Sequence, residues 1–458
     1  MSSVVPLPQL PSRTPVHALR TAKRADPYWS SMWRSGSTGD WYSAQNYREL
    51  REAEFVKAPQ WLRMSEDEAR RRVLLPRNRE QVLRVIAALD QWRTMTVQQL
   101  QALTDITGFA AGDCSLLSAM WNAGMVEICE LGAAFQSGIR NREGVLLRPT
   151  RPGAVLREFE ESLTYVEWVS ATAGIPFDAD RQFARHNILA TEFGLRIAEF
   201  SPAAMVLGEK LSSMDLLAYS GVGVPLPSSG VHGGSDLTIV REDGLRIAVE
   251  MTASLAGGPA AFYNKVERLV TLLGRRPLAE TGLCFLIVIA PRRGGSASDA
   301  DTLRSVKRAV QRAVDTLPGT ATDPTAARIA VTSWADLFPS GHEARSDFWK
   351  LPVERPAGRD YRGDPNDDKV WSRGYLMDPA STPFTPANPD YMKAVIGNGA
   401  GLRGVPHMLR QSAVRPQLND VSLRRMGLKR IPQIEGTKSL TGARGVTGAR
   451  SLPPRLVY

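Results

Sequence analysis

The chain has 458 residues, 43% of them apolar, enough for two or three domains with cores of their own. Its longest apolar run, Gly282 to Ala290, is far short of the roughly 18 residues that span a bilayer, and no apolar secretory core opens the sequence. Cys114, Cys129 and Cys284 form no CxxC pair and the His residues are scattered, which argues against a disulfide framework and a Cys/His zinc site and points to a soluble protein of a reducing cytoplasm.

The 57 Lys and Arg exceed the 47 Asp and Glu by ten, but residues 401–458 alone hold nine Arg and two Lys against Asp420 and Glu435, a net of +9, so the first 400 residues carry only +1. Residues 1–77 read as an N-terminal arm. They mix Pro, Ser and basic residues with Tyr28, Trp29, Trp33, Trp41, Tyr42, Tyr47, Phe55 and Trp61, and show no sustained periodicity. Aromatics among Arg can stack on nucleic-acid bases. They serve equally to anchor a segment that wraps another domain or a subunit, and anchoring is the expected role.

From Arg79 the pattern becomes regular. Val82, Val85, Ile86 and Leu89 recur at helical spacing, and Thr96 is placed to cap a second helix through Leu103. A third helix is expected from about Ala110 to Asn122, burying Leu116, Leu117, Met120 and Trp121 and stopping at Gly124. Two strands follow, Met125 to Cys129 and Gly144 to Arg148. Helix, helix, helix and hairpin, over residues 78–155, resemble a winged helix, in which the second and third helices form a helix-turn-helix and the hairpin is the wing. The face expected to be exposed on the third helix, with Asp113, Ser115, Ser118 and Asn122, has no cation, whereas the wing offers Arg140, Arg142, Arg148 and Arg151. The resemblance therefore implies DNA contact through the wing and its flanks, with a winged helix used only for protein contact as the alternative.

Residues 156–340 carry the candidate chemistry. Two β-rich runs, Gly234 to Val240 and Leu245 to Thr252, flank the turn Arg241-Glu242-Asp243-Gly244 and read as a hairpin. Antiparallel pairing brings Asp236, at the start of one strand, and Glu250, near the end of the other, to the same end. Adjacent carboxylates can hold a hard cation; the plainer alternative is that each ends a strand and faces water. A helix from about Asn187 to Phe200 supplies Glu192, and one from Pro259 to Leu273 supplies Lys265. Gly282 to Ala290 reads as a buried central strand. Asp299 to Leu317 reads as an amphipathic helix with Leu303, Val306, Val310 and Val314 inward and Arg304, Lys307, Arg308 and Arg312 outward. A strand from Arg328 to Val331 and a short helix from Trp334 to Phe338 complete an α/β order that predicts a mostly parallel sheet.

These residues resemble the PD-(D/E)XK nuclease-like fold, a mixed sheet flanked by helices. The resemblance implies Asp236 and Glu250 as magnesium ligands, Glu192 as a third, and Lys265 as a catalytic lysine displaced from its usual place two residues after the Glu, where this chain has Thr252. A closer likeness is to the replication-relaxation family of plasmid, phage and mobile-element proteins, in which a winged helix precedes a nuclease-like domain. Arg185-His186-Asn187, Ser235-Asp236, Val249-Glu250-Met251-Thr252 and Phe262-Tyr263-Asn264-Lys265 stand where its motifs stand, across about residues 78–340.

Residues 341–400, rich in Pro, Gly and Asp, read as a linker. Residues 401–458 read as a basic tail too poor in large apolar residues to form a core, with Arg424, Arg425, Lys429, Arg430, Arg444 and Arg450 as candidate phosphate contacts. The expectation is thus a DNA-binding protein of a mobile element, nuclease-like with little or no metal-dependent endonuclease activity. The alternative is a structural virion or assembly protein, a homo-oligomer or a partner of another protein, whose arms lace subunits together.

Overall fold

The structure is a computed structural model that describes residues 3–11, 23–30, 39–52, 63–112, 114–131, 145–150, 153–163, 184–212, 234–252, 258–294, 298–358 and 371–387. It is mixed α/β and forms two compact units, one built around residues 36–191 and the other around 192–396 together with 1–15 and 25–35. No helix among the described residues is long and apolar enough to cross a membrane.

Strand β1 (Val4–Pro6) opens the described chain and belongs to the second unit. The first unit begins with β2 (Gly39–Tyr42), α1 (Ala44–Glu52) and α2 (Glu66–Leu74). Ser65 caps α2 by accepting from the Glu68 amide, and Glu66, Asp67 and Glu68 place negative charge at the positive end of the helix dipole. In α3 (Arg79–Trp92) the apolar stripe of Val82, Val85, Ile86 and Leu89 is buried, as its spacing requires. After β3 (Met95–Thr96), α4 (Val97–Thr104) starts on a reciprocal cap. The Thr96 hydroxyl accepts from the Gln99 amide and the Gln99 side chain accepts from the Thr96 amide, both at 3.0 Å. Helix α5 (Leu116–Asn122) is shorter than expected at its start, because Ser115 supplies the cap and Gly112, at φ 76°, takes the preceding backbone out of helical space. Strands β4 (Val126–Leu131) and β5 (Leu146–Pro149) and helix α6 (Ala154–Glu161) follow.

The expected hairpin is present and gains a strand on each side, in the antiparallel order β2-β4-β5-β3. Its partner β2 comes from the aromatic N-terminal segment. That segment also covers α5: Tyr47 is buried edge-on against Trp121, with ring centroids 5.4 Å apart, and Trp121 Nε1 donates to the Tyr42 carbonyl at 3.1 Å. Arg48 Nη2 donates to the Asn122 carbonyl, also at 3.1 Å. Ser115, Ser118 and Asn122, expected on an exposed face, are therefore buried. Asp113 lies outside the described residues.

Helix α7 (Ala184–Phe200) begins in the first unit and passes at Glu192 into the second, which continues with β6 (Ala203–Gly208), β7 (Leu237–Arg241), β8 (Arg246–Thr252), α8 (Gly258–Gly274), a single turn α9 (Leu278–Thr281), β9 (Leu283–Ile289), α10 (Asp299–Thr316), β10 (Ile329–Ser333), α11 (Trp334–Leu337), β11 (Glu343–Arg345), β12 (Pro352–Arg355) and β13 (Ser372–Tyr375). A seven-stranded sheet has the order β13-β12-β10-β9-β8-β7-β6, and β1 pairs with β11. Its fully buried centre is β9, as the apolar run predicts. The sheet is not mostly parallel. Only β8–β9 and β9–β10 run parallel, the two steps with helical crossovers α8 and α10, and the remaining pairings are antiparallel.

Residues 341–400, expected as a linker, contain β11, β12 and β13, and the latter two extend this sheet. The consequence reaches α10. Val306, Val310 and Val314 point inward as expected, but Lys307, expected outward, is 3% exposed. It pairs with Glu354 of β12 at 2.6 Å and lies 5.1 Å from the Trp371 ring centre, so the strands that cover this side of the helix also supply its partners.

A buried ionic network fixes residues 25–30 into the same unit. Asp26 accepts from the amides of Tyr28 and Trp29 at 2.8 Å and pairs with Arg196 of α7 at 2.6 Å. Arg196 is wholly buried, bonds Glu192 at 3.1 Å and lies 4.1 Å from the Phe338 ring centre. Removing one partner of a buried pair typically costs about 3–5 kcal/mol. Asp26→Ala is expected to lower stability by that order in urea unfolding, and Asp26→Asn, which keeps an oxygen for the two amides, by less. A loss no larger than that of an exposed pair, about 1 kcal/mol or below, would remove this network from the determinants of the fold.

Candidate functional site

The β7–β8 hairpin has the register Leu237↔Val249, Thr238↔Ala248 and Ile239↔Ile247. Continued by one residue, it places Asp236 opposite Glu250, with both side chains on one face. The Asp236 amide donates to the Val249 carbonyl at 2.9 Å, and its carboxylate accepts from the Met251 amide at 2.5 Å. Two residues before Glu250 on the same face, Ala248 packs in the core with Val266, Leu269 and Val270 of α8. That packing sets α8 over the carboxylates, and Lys265, the residue before Val266, donates its ammonium to Glu250 Oε2.

Glu250 is buried and Lys265 half-exposed. Burial pulls the Lys265 ammonium toward a lower pKa, and exposed Arg268, one turn along α8, adds to that pull. The negative charges of Glu250 and Asp236, with the hydrogen bond to Glu250, outweigh both and hold it above the ordinary lysine value. The structure thus brings together Asp236, Glu250 and Lys265. It engages Glu192 elsewhere, in the ion pair with Arg196, and among the described residues no three His, Cys, Asp or Glu side chains are grouped to hold a metal ion.

Of the expected nucleic-acid contacts, Arg148 needs correction. It is buried, binds Glu127 through Nε at 2.8 Å and Nη2 at 2.7 Å, and its guanidinium lies 4.0 Å from the Trp41 ring centre. The strand pairing that places β2 beside β4 fills the space above it, so it has no face left for phosphate. Arg140, Arg142 and Arg151 of the wing, and Arg424, Arg425, Lys429, Arg430, Arg444 and Arg450 of the tail, lie outside the described residues.

Sequence reasoning passed over Arg241 as turn chemistry. It is buried, with Nε on Asp243 at 3.0 Å and Nη1 on the carbonyls of Leu376 and Thr382 at 2.9 Å, so it ties the hairpin turn to the segment after β13. The Arg and Asp two residues apart were the available signal. No protein family, curated protein or solved structure matches this chain.

A raised lysine pKa means that the Lys265 contribution to stability is complete below the pKa of the unfolded chain and is lost as pH rises through the folded-state value. The stability difference between wild type and Lys265→Met is expected to stay level from neutral pH to the ordinary lysine pKa and to shrink at higher pH. A difference that holds constant through strongly alkaline pH would show that Lys265 acts by packing alone.

Proposed function

We propose that this chain is a DNA-binding protein of a plasmid, phage or other mobile element, in which a winged-helix unit precedes a nuclease-like unit that works as a scaffold with little or no cleavage. The observation that carries the reading is the hairpin of β7 and β8, with Asp236 opposite Glu250 and Lys265 reaching Glu250 from the following helix. The winged-helix part draws support from α3, α4 and α5 followed by the β4–β5 hairpin, with β3 joining from between α3 and α4.

DNA contact is assigned to the basic tail and the wing loop rather than to α5, whose Ser115, Ser118 and Asn122 are buried. For magnesium the described residues offer two carboxylates, Asp236 and Glu250, and no third His, Cys, Asp or Glu beside them. Oε2 of Glu250 accepts from the Lys265 ammonium and Oδ2 of Asp236 from the Met251 amide, so an ion here would compete with Lys265 and would take most of its roughly six oxygens from water or phosphate. An assembly role would draw on residues 341–400 as a free connecting segment, whereas they supply β12 and β13 to the sheet.

Two measurements bear on the reading. Incubated with duplex or single-stranded DNA and magnesium or manganese, the full chain is expected to release no cleavage products. Cleavage by the wild type that disappears in Glu250→Ala would overturn the scaffold assignment. DNA affinity is expected to fall with salt for the full chain and to show a much shallower log–log slope after deletion of residues 401–458, since each phosphate neutralised adds about 0.9 to the slope on duplex DNA. Equal slopes would show that the tail does not touch the backbone. The deletion belongs after residue 400, because one at residue 340 removes β12 and β13 from the sheet.

A further inference from the structure

Strands β10 and β12 share the single registered pair Val331↔Glu354. Beyond it β12 continues toward its first residue, Pro352, which has no amide hydrogen to extend a ladder. Residues of β1, β10, α11, β11, β12 and β13 line a cleft here of about 550 Å³, within the range of small-molecule sites. Every residue lining it belongs to the second unit.

The cleft combines three surfaces. Val4 and Val353 give it apolar surface, Asp336 and Glu354 bring carboxylates, and Arg345 and Arg373 bring guanidinium groups. Several of these are already held in place. Glu354 is fixed by buried Lys307 at 2.6 Å, and Arg345 by Asp347 through two contacts of 2.9 Å. Asp347 in turn accepts from the Tyr375 hydroxyl at 3.2 Å.

Asp336 differs from the rest. Its amide bonds the Ser333 hydroxyl at 3.0 Å, which fixes it at the start of α11, while its carboxylate makes no hydrogen bond to any described residue. The side chain reaches solvent, yet the cleft walls displace enough water, and Glu354 adds enough negative charge, to hold the carboxyl above its ordinary pKa against the pull of Arg345, Arg373 and Lys307. A cation placed beside Asp336 and Glu354 would offset their mutual repulsion and favour the ionised carboxylates.

We propose that this cleft binds a zwitterion of the amino-acid or short-peptide class, its ammonium at Asp336 and Glu354, its carboxylate at Arg373 and Arg345, and an apolar side chain against Val4 and Val353. The inference stands apart from the DNA-binding reading, since it uses none of Asp236, Glu250, Lys265 or the tail.

Calorimetric titration of the full chain tests it with four probes: leucine, leucyl-leucine, leucinamide, which lacks the carboxylate, and N-acetylleucine, which lacks the ammonium. Saturable binding of leucine or leucyl-leucine is expected, weakened about tenfold or more, roughly 1.4 kcal/mol, in either blocked compound. Asp336→Asn and Arg373→Ala are each expected to weaken it similarly. Both residues are exposed, and unchanged circular dichroism and unfolding midpoints will separate loss of the site from loss of the fold. No saturable binding of either zwitterion overturns the proposal. So does binding that leucinamide or N-acetylleucine matches, or that survives both substitutions.

Discussion

The second unit depends on how a single buried guanidinium is satisfied. Arg196 stands in the middle of α7 without solvent contact, and a charge so placed is tolerated only with close, well-formed partners. Glu192, one helical turn earlier, supplies one carboxylate. The other is Asp26, 170 positions away in sequence, which also caps the turn carrying Tyr28 and Trp29. Trp29 Nε1 then donates to the Phe338 carbonyl at 2.7 Å, and the Arg293 guanidinium lies 4.6 Å from its ring centre. Further toward the N-terminus, Leu7 and Leu10 are buried and β1 pairs with β11. A segment without any helical or strand periodicity is thus fixed by one electrostatic requirement and a few apolar anchors.

That explains which features could be read in advance. The caps and stripes of α3 and α4 depend on residues within a few positions of each other, so Thr96, Gln99, Val82 and Val85 announce them. The β7–β8 hairpin is equally local. Its turn needs the positive φ of Gly244, 92°, and once the turn is fixed the register that sets Asp236 against Glu250 follows. Lys265 was legible for the same reason, as a cation early in the next helix. Glu192 had a competing local signal that outweighed the metal-ligand reading, since Arg196 four residues on is the spacing of a helical ion pair.

What escaped the sequence depends on distant partners. Strand β12 begins with a proline and β13 contains a glycine, and neither is long enough to show alternation. The outward side of α10 was inferred as if the helix had one neighbour, and β12 made Lys307 an interior residue. Arg148 became interior because an aromatic strand from the N-terminal segment joined its sheet. The cleft beside Asp336 has no linear signature at all, because its lining comes from separate elements, β1, β10, α11, β11, β12 and β13.

These interior cations alter what the net charge means. Arg148, Arg196, Arg241, Lys307 and Arg328 are all buried, and each has a carboxylate partner, in Glu127, Asp26, Asp243, Glu354 and Asp323. A matched pair projects little field beyond its own contact, and exposed charges more than about 10 Å apart are screened from each other in ordinary salt. The +1 of the first 400 residues therefore describes units whose buried basic residues hold the fold together, while the +9 of residues 401–458 accompanies only two acidic side chains. On the proposed reading the folded units contribute shape and whatever selectivity the wing loop adds, and attraction to the phosphate backbone comes chiefly from the basic segment.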